Sequence, residues 1–196
     1  ASYDSLLAAV AAHGYLVVAP DPETGPWPSH RSLADDLWHV ALWARESTPW
    51  TGEGQGLVLA GHSMGAGAAL LAASLQPEAE AVVTLAALQT RPPARLDAIE
   101  VPVLFVVGSQ DRIVPPARTR RLYESMTAPA DWVSIDGGYH CGFLDRARLR
   151  DAGCDHGDLP RREQLETTAR LVGEWLDARF RGGAGAPSAG SEPTRP

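Results

Sequence analysis

The sequence predicts an α/β fold: a mostly parallel sheet with helices on both faces. Three observations predict it. Short apolar runs alternate with stretches of helical periodicity along most of the 196 residues. One of them, residues 15–19, is apolar throughout, as a strand buried on both faces is. Gly, Pro and Asp clusters punctuate the boundaries between the two kinds of segment.

Taken in order, residues 2–13 read as a helix, with Tyr3, Leu6, Leu7, Val10 and Ala11 at helical spacing and Gly14 as the stop. Residues 15–19 (YLVVA) form an apolar run closed by Pro20, which reads as a buried strand. Residues 21–29 are a loop. A second helix follows, with Ser32 and Asp35 resembling a capping box and Leu33, Leu37, Val40, Ala41 and Ala44 as its apolar stripe. Residues 51–56 are turn-like. Strands are then expected at 57–60, 81–86, 103–107 and 132–135, with helices at 65–75, 116–126 and 161–180. Gly, Ala, Ser and Pro dominate the last residues, so one domain over 1–181 and a disordered tail over 182–196 are expected. There is no internal repeat.

Composition narrows the function. The apolar share of 44% and charged share of 21% are those of a globular domain. The formal net charge of −7 would repel a phosphate backbone, which argues against nucleic acid as a partner. All 17 basic residues are arginine. No apolar run approaches the roughly 20 residues of a membrane helix. Oligomeric state is not readable.

Gly61-His62-Ser63-Met64-Gly65 fits G-x-S-x-G between an expected strand and an expected helix. A chance match is the bland reading in a Gly-rich chain, and the strand-before, helix-after context is what separates the two. A nucleophile on so sharp a turn takes strained backbone angles. Side chains at 61 and 65 would be expected to collide with the neighbouring strand and helix. The turn aims a helix N-terminus at a developing oxyanion, with the Met64 N–H as the natural first donor.

Asp111 lies on the loop after the strand at 103–107, where it can hold the Nδ1–H of a histidine; an ordinary turn Asp is the alternative. His140 follows the strand at 132–135 in a glycine-rich loop and is the candidate general base. The other five histidines compete poorly, and His62 occupies a variable elbow position. The order Ser63, Asp111, His140, each just past an expected strand, is the one a nucleophile-elbow hydrolase uses.

These segments resemble the α/β-hydrolase superfamily, and within it the cutinase-like polyesterase, chlorophyllase and dienelactone-hydrolase-like group. The likeness is carried by residues 6–20 (LLAAVAAHGYLVVAP), GHSMG at 61–65, VPVLFVVGSQDRIVPP at 101–116 and the His140 loop, and spans roughly residues 1–180. It implies a carboxylic ester hydrolase working through an acyl-enzyme on Ser63, with a small or polymeric ester as substrate and no metal or organic cofactor. GHSMG is specific to the superfamily, not to a substrate. In the superfamily, strands and a loop carrying the second oxyanion donor precede the first helix. The sequence therefore reads as N-terminally truncated, that donor has no candidate, and weak activity or insolubility is expected of the chain alone.

Only about sixteen residues separate the strands at 81–86 and 103–107, too few for a large lid. Trp27 and Trp50 sit in loops and either line a cleft or pack over the sheet edge. Cys141 and Cys154 have three readings: a disulfide pinning the loop of His140, two thiols, or a zinc site with His140 and His156, whose spacing fits no common zinc pattern. A bridge would favour an extracellular location. Two rival functions share the motif: a catalytically silent or impaired hydrolase-fold fragment, and an acyltransferase or thioesterase using the same three residues.

Overall fold

Four parallel strands in the order β1-β2-β3-β4 form the centre of the computed structural model, which describes residues 3–21, 29–47, 56–146 and 154–182. The elements run α1 (Asp4–Ala12), α2 (His30–Ser47), β1 (Val58–His62), α3 (Met64–Ala73), β2 (Ala81–Leu85), β3 (Val103–Gly108), α4 (Pro116–Glu124), β4 (Ala130–Ile135) and α5 (Arg161–Phe180). Short 3-10 turns at Leu96–Ala98 and His140–Phe143 complete them. The ladders are continuous, with Val58 beside Ala81, Val82 beside Val103 and Val103 beside Ala130.

Side chains alternate across the sheet and divide the core in two. Leu59, Val82, Val103 and Phe105 face the small residues of α3, with Ala34 of α2 and Leu122 of α4. Ala81, Val83, Leu85, Leu104 and Val106 face Leu6 of α1 and Val172, Trp175 and Leu176 of α5. Every residue of β2 and β3 is buried, whereas β1 and β4 are mostly part-exposed. This is why the inner strands read as nearly unbroken apolar runs, interrupted by Thr84, whose hydroxyl donates to the Leu104 carbonyl at 3.0 Å. Phe105 is fully buried, so its truncation to Ala would cost about 3–5 kcal/mol.

Three expectations are corrected. Residues 15–19 form no strand: the backbone there joins no ladder among the described residues, and Leu16 is 45% exposed. An apolar run alone does not make a strand, because the extended backbone needs a hydrogen-bonding neighbour. The second helix begins at His30, not after Ser32. Ser29 supplies the cap, its Oγ accepting the Ser32 N–H at 3.3 Å, while Asp35 pairs with Arg31 one turn earlier. Gly65 has open space where a side chain would stand, so the expected collision holds at Gly61 alone. Trp27, Trp50 and the tail from residue 183 lie outside the described residues. No helix among the described residues is long and apolar enough to cross a membrane.

Candidate active site

Because all four strands run the same way, their carboxyl ends share one rim. Ser63, Asp111 and His140 follow β1, β3 and β4 at that rim.

Ser63 sits between β1 and α3 with φ +56° and ψ −118°, a backbone region that residues with a side chain rarely occupy. Three hydrogen bonds hold it there. Its N–H donates to the Leu85 carbonyl at 2.8 Å, and its carbonyl accepts from Gly67 at 3.2 Å and Leu88 at 3.1 Å. Gly61 permits the turn, since a Cβ there would lie 2.2 Å from the Gly65 carbonyl oxygen. Gly67 lets α3 approach the chain after β2, where a Cβ would meet the Leu88 oxygen at 2.2 Å. Met64 is the first residue of α3, so its N–H has no carbonyl partner within its own helix.

Asp111 and His140 form a buried pair. His140 Nδ1 and Asp111 Oδ2 are 2.7 Å apart, with the side chains 7% and 0% exposed. The other carboxylate oxygen, Oδ1, accepts the N–H groups of Ile113 at 2.9 Å and Val114 at 2.7 Å. A carboxylate facing Nδ1 selects the tautomer with the proton on that nitrogen, which leaves Nε2 as an acceptor. Among the described residues the Ser63 hydroxyl makes no hydrogen bond to His140.

The loop carrying His140 is held by groups that sequence reasoning missed. Gln164 of α5, fully buried, accepts the Tyr139 N–H at 3.0 Å and donates to the Tyr139 carbonyl at 2.9 Å. Gly142 makes room for it, since a Cβ there would stand 1.9 Å from Gln164 Oε1. Gly108 lets the two loops touch, with a Cβ there meeting Gly138 at 2.4 Å. Cys141 and Cys154 are joined by a disulfide, so neither offers a thiolate to a metal and the zinc reading loses two of its ligands. Asp155 accepts backbone N–H groups from both loops.

His62, at the variable position of the elbow motif, packs beside the candidate base. Its ring lies 4.5 Å from that of His140 and 5.4 Å from that of Phe143, and its Nδ1 shares a hydrogen bond with the Tyr3 hydroxyl at 2.9 Å. Burial, and after it the neighbouring His140, push the His62 pKa down to about 3. Burial also raises the Tyr3 hydroxyl to about 12, which keeps it protonated. His62 is therefore neutral near pH 7 and acts as a wall beside the imidazole. No local sequence signal marks Gln164, Asp155 or the His62–Tyr3 bond, because each acts across a long stretch of chain.

The family described as "PETase: PET hydrolase-like" matches residues 2–148, well over half of the chain. The chain belongs to this family. Among curated proteins, the chain is 28% identical to "Cutinase est2" of Thermobifida alba over 137 residues, which cover 67% of this chain and 45% of that one. It thus spans less than half the length of that relative. Two solved structures share the α/β-hydrolase fold. An esterase domain from Rhodothermus marinus superposes with a TM-score of 0.67 at 18% identity, covering 89% of this chain and 78% of that one. An alpha-beta serine hydrolase homologue from Coxiella burnetii gives 0.58 at 17% identity, covering 88% and 76%.

Proposed function

We propose that this chain carries the catalytic residues of a carboxylic ester hydrolase that works through an acyl-enzyme on Ser63. The observation that carries the reading is the buried Asp111–His140 pair at the rim where Ser63 sits strained between strand and helix. In this reading His140 Nε2 takes the Ser63 proton as Oγ attacks the ester carbonyl. Asp111 holds the tautomer and stabilises the imidazolium. The Met64 N–H, at the positive end of α3, donates to the oxyanion. His140 then protonates the leaving alcohol, and the acyl-enzyme is cleared by a water that the same nitrogen activates. No step requires a metal or organic cofactor. The serine-to-histidine link is commonly long in the absence of substrate and closes on binding.

Membership of a PET hydrolase-like family and likeness to a cutinase favour a polymeric or otherwise bulky ester. The segment between Leu85 and Val103 supports this, since its one regular element is the 3-10 turn Leu96–Ala98 and no helical lid stands there. A fluorophosphonate probe and a series of p-nitrophenyl esters test the proposal. Labelling should map to Ser63 and vanish with ester turnover in Ser63→Ala. Labelling that persists in Ser63→Ala, or a wild-type chain that neither labels nor turns over, would overturn it.

A further inference from the structure

Asp155 lies outside the motifs of the elbow, the acid loop and the base loop, yet its carboxylate serves two of them. It is 9% exposed. Oδ2 accepts two N–H groups, that of Arg112 at 2.9 Å and that of His140 at 3.1 Å. Oδ1 accepts the Cys141 N–H at 3.1 Å. Arg112 directly follows Asp111, and His140 is its partner in the buried pair. One oxygen atom therefore ties the backbone of the acid loop to the backbone of the base. Cys154, the preceding residue, is bonded to Cys141, so Asp155 is held against this loop through the chain as well.

The two loops also meet lower down, where Ser109 donates to Ile135 at 2.9 Å and Gln110 to Gly138 at 2.8 Å. Those bonds fix the bases of the loops. Asp111 spends its own Oδ1 within its own loop, on Ile113 and Val114. At the tips, beside the carboxylate and the imidazole, the shared acceptor is Asp155. A carboxylate suits this place because it has only acceptors, whereas an amide would turn an N–H toward at least one of the three donors.

We propose that Asp155 is a positioning residue for the acid–base pair: it sets the approach of the Asp111 carboxylate to His140 without touching substrate. The inference rests on the reading of Ser63, Asp111 and His140 as the reacting residues. Misplacement of a reacting group by an ångström can cost about 10²-fold in rate. Asp155→Asn should therefore lower kcat about 10- to 100-fold while KM moves less than about threefold.

The experiment compares wild type, Asp155→Asn, Asp111→Asn and the double variant in the full chain. Ester kinetics form one arm. The low-field proton resonance of the Asp111–His140 hydrogen bond, recorded well below each Tm, forms the other. The expected result is a kcat loss in Asp155→Asn, loss or broadening of the resonance, and little further kcat loss when Asp155→Asn is added to Asp111→Asn. Ile99→Ala, a core truncation ahead of β3 in the cluster on the other face of the sheet, should lower Tm and spare both readouts. The proposal fails if Asp155→Asn keeps the resonance, if kcat is unchanged, or if the two losses multiply fully in the double variant. Should Asp155→Asn not fold, Asp155→Glu keeps the charge, displaces it by one methylene, and is held to the same outcomes. An inactive wild type would count against the ester-hydrolase reading alone, because the resonance still reports on Asp155.

Discussion

Two histidine–aspartate pairs in this molecule have almost the same contact and different surroundings. His140 and Asp111 meet at 2.7 Å, His13 and Asp177 at 2.8 Å, and both use Nδ1. The first pair is 7% and 0% exposed, the second 33% and 31%. The second also binds Tyr15, whose hydroxyl donates to Asp177 at 2.9 Å, and Arg181 stands 3.7 Å away. Burial alone would raise the Asp177 pKa, but the hydrogen bonds from His13 and Tyr15 hold it below the usual carboxylate range. His13 Nε2 lies against Gly173, where a Cβ would approach to 2.4 Å. This pair fastens the end of α1 to α5. The comparison teaches that a hydrogen-bonded imidazole becomes a candidate base through its burial and through what its second nitrogen can reach, not through the contact itself.

The sharpest way to break the comparison is to delete each imidazole and the serine. Ser63→Ala and His140→Ala should each lower kcat by about 10³-fold or more, while His13→Ala should leave kcat within about twofold, as read by ester turnover. If His13→Ala were as damaging, the distinction would be gone. The acids should separate almost as widely. Asp111→Asn is expected to cost about 10³- to 10⁴-fold in kcat by upsetting the tautomer. Asp177→Asn is expected to cost about 1 kcal/mol of stability with activity preserved, measured by urea unfolding beside kinetics.

A smaller effect concerns packing. Gly173→Ala would drive a methyl into the His13 ring and should destabilise the chain by about 1–3 kcal/mol, with the rim that carries Ser63, Asp111 and His140 untouched. The smallest effect is a pH dependence from His62. Its folded pKa of about 3 is below the unfolded value of 6.5, so the folded state resists a proton that the unfolded chain accepts. The stability it contributes is fully present above pH 6.5 and falls as pH drops from there toward 3. Between pH 7 and pH 5 the loss should be about 1–2 kcal/mol. His62→Phe should flatten that part of the curve in urea titrations, and an unchanged slope would show that His62 is not the group responsible.

Much of the candidate site was legible because it is local. Ser63 announces itself through glycines and an apolar strand within a few residues. Asp111 and His140 are marked by their places after strands that the apolar runs reveal. The inner strands β2 and β3 were easiest to read, being buried on both faces. The segment at 15–19 misled because its composition matches a strand while its backbone finds no ladder. Ser32 misled because a plausible cap three residues inside a helix looks the same in sequence as a true one. Gln164, Asp155 and Tyr3 were invisible, since each reaches a residue 15 to 59 positions away.

The amino-acid order by itself determined the alternation of strands and helices, the glycine-flanked turn at Ser63 and the order of the candidate residues Ser63, Asp111 and His140, because these depend on neighbours along the chain. Only the tertiary structure decided which histidine–aspartate pair is buried, which carboxylate joins the two loops, and which glycines are sterically required. Those outcomes depend on distances between elements remote in sequence, and the free energy of burying a polar group is set by whatever the fold brings around it.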